Sequence, residues 1–271
     1  MTLPLLGAAL TLERFRGLRD WMCADGRPLE IQDFVGPAVI AGDCAGLIAD
    51  WREALAGHGG LRGIHGPFFG LDISSPDRDI RAVVQRRLIR GIEIAEALGG
   101  THMVVHSPFT YWHVLNYANY PRLRADIFEA CADCLAPVLA RAAEAGCTVM
   151  LENIDDTDPA DRTGLVAMID HPNLMVSLDT GHAELAHGRY GAPPVVDFVA
   201  ASAGRLGHVH LQDADGYADR HWHPGEGRIP WAPVFEALAA APSARLILEV
   251  ARRHDRLPET TARLAALGLA R

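Results

Sequence analysis

Six short apolar runs recur along the chain, and each ends in, or within three residues of, a side chain able to bind a metal ion. They read Leu61-Arg62-Gly63-Ile64-His65, Met103-Val104-Val105-His106, Val149-Met150-Leu151-Glu152, Met175-Val176-Ser177-Leu178-Asp179 (with His182 three further on), Val209-His210 and Leu246-Ile247-Leu248-Glu249. Bounded apolar runs of this length read as buried strands. A ligand at the same end of each strand means convergence on one point. Asp219-Arg220-His221, in the loop after His210, adds a seventh contributor.

Longer amphipathic stretches separate these runs. Strands are expected at Leu5 to Thr11, Pro28 to Phe34, up to His65, up to His106, up to Glu152, up to Asp179, Leu206 to Leu211 and Arg245 to Val250. Helices are expected at Leu12 to Cys23, Cys44 to Ala56, Asp79 to Leu98, about Leu123 to Ala145 (with Pro137 bending it), Val195 to Ala203, Pro230 to Ala240 and Glu259 to Leu267, with a shorter one after Glu152. In the Asp79 to Leu98 stretch, Ile80, Val83, Val84, Leu88, Ile92, Ala95 and Leu98 fall on one helical face. The alternation predicts a single-domain (β/α)8 TIM barrel over residues 1–271, a fold that averages ~250 residues and carries its site at the carboxyl ends of the strands. A doubly wound sheet would focus its site at one switch point and leaves six ligand-bearing strands without a reason.

Composition narrows the setting. The formal net charge of −9 gives no basic footprint for nucleic acid, so a nucleic-acid partner is not expected. No apolar run approaches the ~18 residues of a membrane span. Met1 to Leu10 is apolar without a basic flank and is not read as a signal peptide. Five scattered cysteines point to a reducing, cytoplasmic setting, and Cys131 and Cys134, a C-x-x-C inside a helical pattern, read as packing thiols. A monomer and a homo-oligomer are both compatible with the sequence.

Alternation along each strand puts Gly63 below His65, Val104 below His106, Met150 below Glu152, Ser177 below Asp179 and Ile247 below Glu249. Ionisable groups thus crown the barrel over smaller or apolar ones. His208 and His102 read as structural interior histidines. Three carboxylates and several imidazoles at one mouth would repel or desolvate one another without a cation. The donor set of imidazole and carboxylate, with no thiolate, suits a divalent metal, and leans to Zn²⁺ or Mn²⁺ over Mg²⁺.

These residues, taken in order, resemble the xylose-isomerase-like barrel superfamily, which includes sugar-phosphate isomerases and epimerases and the endonuclease IV enzymes. The resemblance runs from Pro28 to the C-terminus. It rests on His65-Gly66-Pro67-Phe68, Val105-His106-Ser107-Pro108, Leu151-Glu152-Asn153, Asp179-Thr180-Gly181-His182, His208-Val209-His210-Leu211-Gln212-Asp213, Pro224-Gly225-Glu226-Gly227 and Leu248-Glu249. Resemblance to the isomerase branch implies one divalent ion on Glu152, Asp179, His210 and Glu249. Glu152 and Glu249 would then exchange a proton beside a carbonyl of a small carbohydrate, with His182 on a substrate oxygen. Resemblance to the endonuclease IV branch implies up to three ions, on His65, His106, Glu152, Asp179, His182, His210, Asp219, His221 and Glu249, and phosphoester hydrolysis of abasic DNA or a small phosphate ester. His223 competes with His221 for the last of these places.

Two features favour the first branch. Ile31 to Trp51 holds no Arg or Lys, whereas the nucleases insert an arginine from this loop into DNA. The strand Leu29-Glu30-Ile31-Gln32-Asp33-Phe34 is similar to the Glu-bearing strand of sugar isomerases. Glu30 is read as either a substrate contact or one half of a buried pair with an arginine. Phe68, Trp112 and Trp222 are expected to bind substrate, within an aromatic wall that also draws on Phe69, Phe109, Tyr111, Tyr117 and Tyr120. Gly225 and Gly227 read as a plain turn, with backbone N–H groups presented to a phosphate as the alternative.

Overall fold

All the apolar runs form strands, and eight parallel strands close into a barrel in the computed structural model, which describes residues 3–271. The strands are β1 (Leu6–Leu10), β2 (Leu29–Ile31), β3 (Arg62–His65), β4 (His102–His106), β5 (Thr148–Glu152), β6 (Leu174–Asp179), β7 (Leu206–Leu211) and β8 (Arg245–Leu248). Each pairs with its neighbours in chain order, and β1 pairs with β8 to close the ring. Buried on both faces, such strands must be apolar nearly throughout. Ile31, Ile64, Met103, Leu151, Leu178 and Val209 are all fully buried.

Eleven helices surround the described barrel: α1 (Leu12–Ala24), α2 (Pro37–Ala41), α3 (Ala45–Ala54), α4 (Arg78–Ala97), α5 (Tyr111–Asn116), α6 (Leu123–Glu144), α7 (Pro159–Ile169), α8 (Thr180–Tyr190), α9 (Val195–Ser202), α10 (Trp231–Leu238) and α11 (Leu257–Ala266). Asp77 caps α4, accepting from the backbone N–H groups of Asp79 and Ile80. Ile80 and Val83 do not join the buried face expected of them and stand exposed. Arg81 takes that place, buried and paired with Asp133 of α6. Helix α6 runs through Pro137 as one element, and Cys131 and Cys134 are free thiols packed in its buried face. Burial pushes the Cys134 thiol up to about 12, which leaves it protonated and inert.

Several elements differ from expectation. β2 and β8 are shorter than predicted, so Gln32 and Glu249 lie just past their strands, although Glu249 N–H still donates to Leu211 O at 3.2 Å. α8 was not expected at all. It starts directly after Asp179, whose carboxylate accepts from His182 N–H at 2.7 Å and so caps the helix. Gly181 and Gly188 and a nearly featureless hydrophobic pattern conceal this helix in the sequence. No helix among the described residues is long and apolar enough to cross a membrane.

Candidate metal centre

The strand ends bring nine predicted ligands together at the carboxyl mouth. His210 Nδ1 is the meeting point of the central group. Glu152 hydrogen-bonds to it directly, Glu249 Oε2 stands 3.4 Å away and Asp179 Oδ2 4.0 Å away. A second group shares Glu152: its Oε2 lies 3.7 Å from His65 Nε2 and 3.6 Å from His106 Nε2. A third comprises Asp219, His182 Nε2 at 3.5 Å and His221 Nε2 at 3.1 Å. Within each group the potential ligand atoms lie within 4.8 Å of one another.

The imidazoles are oriented by what their other nitrogen meets. An oxygen that can only accept fixes the proton on the nitrogen facing it, and leaves the opposite lone pair free. His65 Nδ1 donates to Gly66 O at 2.9 Å and His182 Nδ1 to Asn153 O at 2.9 Å, so each presents Nε2 to its group. His210 is reversed: Nε2 donates to Glu30 Oε1 at 2.8 Å, and Nδ1, which donates to Glu152, is the nitrogen that faces the mouth and that a cation would take over from its proton. Metal-binding histidines are typically held this way, by a carboxylate or carbonyl on the far nitrogen. Asp179 Oδ2, fully buried, has no hydrogen-bond partner among the described residues. An orphaned carboxylate oxygen beside an aligned imidazole is the environment a divalent cation satisfies.

The electrostatics show what such a cation would relieve. Burial pushes the Asp179 carboxyl up to about 6, against the pull of His182. Burial disfavours the His210 cation, yet the surrounding Glu249, Glu30 and Glu152 raise it well above the usual imidazole range. Burial and the neighbouring His65 push His106 down to about 3, which keeps it neutral and able to act as a ligand. At the outer edge, the carboxylates of Asp219 and Glu249 outweigh burial and raise His221 to about 9.

A layer of uncharged and interior groups, which no ligand-counting reading finds, holds these residues in place. Gln212 donates from Nε2 to Asp179 Oδ1 at 3.1 Å and to Asp219 Oδ1 at 3.0 Å, while its Oε1 accepts from His221 N–H at 2.9 Å. Room for this amide exists only because residue 181 is glycine: a Cβ there would lie 2.1 Å from Gln212 Cδ. Asn153 clasps the Asp179 backbone, accepting at 2.8 Å and donating at 3.0 Å. Gln32 Nε2 bridges Glu30 Oε1 at 3.0 Å and Glu249 Oε1 at 2.9 Å.

Glu30 corrects its expectation. It neither lines the mouth nor pairs with an arginine; it is fully buried, with His208 Nε2 3.0 Å from Oε2 and His210 on Oε1. Burial raises this carboxyl, but His210 and His208 overcome that and hold it well below the usual range. His208 is buried, with its Nδ1 2.9 Å from Ser177 Oγ. His102 is also buried, its ring against Gly63, where a Cβ would lie 2.3 Å away.

His221, not His223, faces the site. His223 turns away to Thr260 Oγ1 at 2.7 Å and Arg252 O at 3.2 Å. The predicted aromatic wall is not continuous. Phe109 is buried, at the wall of the cleft that ends at His106. Phe68 stacks on His106 with ring centroids 4.3 Å apart, bracing a predicted ligand. Trp112 stacks on Tyr120 at the α5–α6 corner and lines neither cleft that reaches the ligand groups. Trp222 lines one of those clefts, with Arg220 over its ring. Gly225 forms a plain turn, its N–H donating to Asp213 Oδ2 at 2.7 Å.

Comparison with known proteins places these features. Residues 32–269 match the family model described as a xylose isomerase-like TIM barrel. The chain is 26% identical over 181 residues to D-psicose 3-epimerase of Ruminiclostridium cellulolyticum, a match covering 65% of the chain and 57% of the epimerase. It is 28% identical over 182 residues to an uncharacterised protein of Methanocaldococcus jannaschii, covering 59% of that relative. Among solved structures, the TTHB071 protein of Thermus thermophilus, from crystals soaked with zinc chloride, is 27% identical. That likeness covers 98% of this chain and 99% of the other, with a TM-score of 0.72. A D-tagatose 3-epimerase-like protein shares the fold at 22% identity, covering 97% of this chain and 96% of the other, with a TM-score of 0.76.

Proposed function

The chain belongs to the xylose isomerase-like TIM-barrel family, and from that premise we propose that it is a divalent-metal-dependent epimerase or isomerase of a small sugar or sugar phosphate. One observation carries this reading: Glu152 from β5 and Glu249 from the end of β8 reach the same imidazole nitrogen from different staves of the barrel. Two carboxylates on either side of one point can remove a proton from one face of a carbon and return it to the other. The curated epimerase relative supports the choice of a sugar.

Glu152, Asp179, His210 and Glu249 would hold the cation. When bound it would polarise the substrate carbonyl and so acidify the neighbouring C–H. Glu249, partly exposed at the rim, stands where substrate arrives, and Gln32 fixes its orientation. Glu152, buried, receives or returns the proton on the inner side. His182, anchored through Nδ1, presents Nε2 to a substrate oxygen. All 25 basic residues other than histidine are arginine, so a Schiff base on lysine is not open to this chain.

Assays of ketopentoses and ketohexoses, free and phosphorylated, with Zn²⁺, Mn²⁺ or Co²⁺ test the reading. Glu152→Gln and Glu249→Gln should each lower kcat by roughly 10²–10⁴-fold. Full activity in either variant would remove its acid–base role.

A second reading rests on the two flanking groups. His65, His106, His182, Asp219 and His221 assemble as two further three-ligand sets around the central one. A one-ion epimerase has no need of them as ligands, whereas a multi-metal phosphoester hydrolase does. Counting bound ions by elemental analysis separates the two: one ion supports the epimerase, and two or three support the hydrolase.

A further inference from the structure

Two clefts open on the ligand groups from opposite ends, and their charges differ. One, of about 390 Å³, ends at His106 and is lined by Asp72, Ser74, Ser107, Thr110 and Asp155 among others, with no arginine. The other, of about 450 Å³, ends at Asp219 and His221 and lies between the loops after β7 and β8, with Arg252 and Arg253 on its wall. The carboxylates of this second cleft are already engaged. Asp219 is held by Gln212, His182 and His221, and Glu226 by Arg256 at 2.8 Å. Arg220, also in the wall, is spent on Asp215 at 2.8 Å and on the Trp222 ring. Arg252 and Arg253 are exposed and, among the described residues, have no carboxylate within ion-pairing distance. Two arginines without a carboxylate partner among the described residues therefore line a cleft that leads to the candidate metal centre, in a chain whose net charge is −9.

Guanidinium groups bind tetrahedral oxyanions through paired, charge-assisted hydrogen bonds. The loops after strands seven and eight are also where barrels of this architecture often bind phosphate. We propose that this cleft is an anion subsite taking the phosphate monoester of a phosphorylated sugar, whose hydroxylated end lies toward the arginine-free cleft. The inference rests on the epimerase reading above and names its substrate class: a sugar phosphate rather than a free sugar.

Inorganic phosphate is the probe, titrated by calorimetry or ³¹P NMR into metal-stripped full-length protein at fixed ionic strength. The partner variant is Arg252→Ser with Arg253→Asn. Asn is chosen because Arg253 sits at φ 56°, a left-handed conformation that Asn tolerates. Both side chains are exposed, so the double variant should fold. The wild type should bind phosphate at millimolar concentration, and the double variant about 10-fold or more weakly. Equal binding by the two proteins, which would place phosphate on the mouth histidines, overturns the proposal, as does no binding by the wild type. Phosphate binding lost in the variant, in a protein that turns over no ketose, keeps the subsite and removes the epimerase. Ketose turnover by a wild type that does not bind phosphate removes the subsite alone.

Discussion

Glu30 lies outside the three mouth groups but holds His210 from the interior, so its removal should weaken metal binding at the mouth. Its Oε1 accepts from His210 Nε2 at 2.8 Å and from Gln32 at 3.0 Å, and its Oε2 lies 3.0 Å from His208 Nε2. In Glu30→Leu, His210 loses the acceptor that holds its proton on Nε2, and Gln32 loses one of the two carboxylates it bridges. Deleting the partner of a ligating histidine typically lowers metal affinity 10–100-fold, equivalent to about 1.4–2.7 kcal/mol. One buried imidazole nitrogen, His210 Nε2, is left without its acceptor, at about 1–3 kcal/mol, while the desolvation of a buried carboxylate is relieved. The metal-free variant should therefore be only modestly less stable. Glu30→Gln, which can still accept from His210 but lacks the charge, should fall between wild type and Leu. Competition with a chromophoric chelator for Zn²⁺ or Co²⁺, alongside urea unfolding of the metal-free proteins, reads both quantities. Wild-type metal affinity in Glu30→Leu would refute the claim that this interior carboxylate orients His210.

Two further outcomes follow from buried groups. Burial, only partly offset by Arg162, pushes the Asp156 carboxyl up to about 6. Against roughly 3.9 in the unfolded chain, the folded protein binds the extra proton between these values, so Asp156 lowers stability as pH rises from about 4 to about 6. Asp156→Asn should remove roughly 2–3 kcal/mol of that loss; urea unfolding should find the variant's advantage near pH 7 and not near pH 4, and a pH-independent difference would count against this cause. Gly181→Ala forces its Cβ into Gln212 and should cost about 1–3 kcal/mol through overpacking. Most of that penalty should vanish in a Gln212→Ala background, and an unchanged penalty in the double-mutant cycle would show that the clash lies elsewhere.

The barrel was legible because parallel strands buried on both faces leave uninterrupted apolar runs, and their ends fix the level at which ligands appear. Spacing therefore brought the strand-end ligands to one level, and the family resemblance singled out Glu152, Asp179, His210 and Glu249 among them. What joins them was not legible. Gln212 and Asn153 are neutral amides with no ligand signature, although Gln212 shares the inward face of His210 two residues earlier and Gly181 marks the space it fills. Glu30 suggested an arginine partner because arginine is the usual mate of a buried acid. Its actual partners come from β7, across the barrel interior, where no sequence separation points. His221 and His223 could not be told apart because the turn holding them does not alternate as a strand does: His221 has φ 47°, which breaks the two-residue period. α8 was hidden by its own glycines, one of which Gln212 requires.

Proton exchange at the substrate carbon is the centre of the account, and deuterium reports it directly. Wild-type protein loaded with its metal would be incubated in D₂O with a ketose or ketose phosphate, and the sugars followed by ¹H NMR and mass spectrometry. One deuterium should enter the product at the carbon beside the carbonyl, and incorporation should collapse in Glu152→Gln and Glu249→Gln. Product formed without solvent deuterium in either epimer, or release of inorganic phosphate in place of an epimer, would contradict proton transfer between the two glutamates.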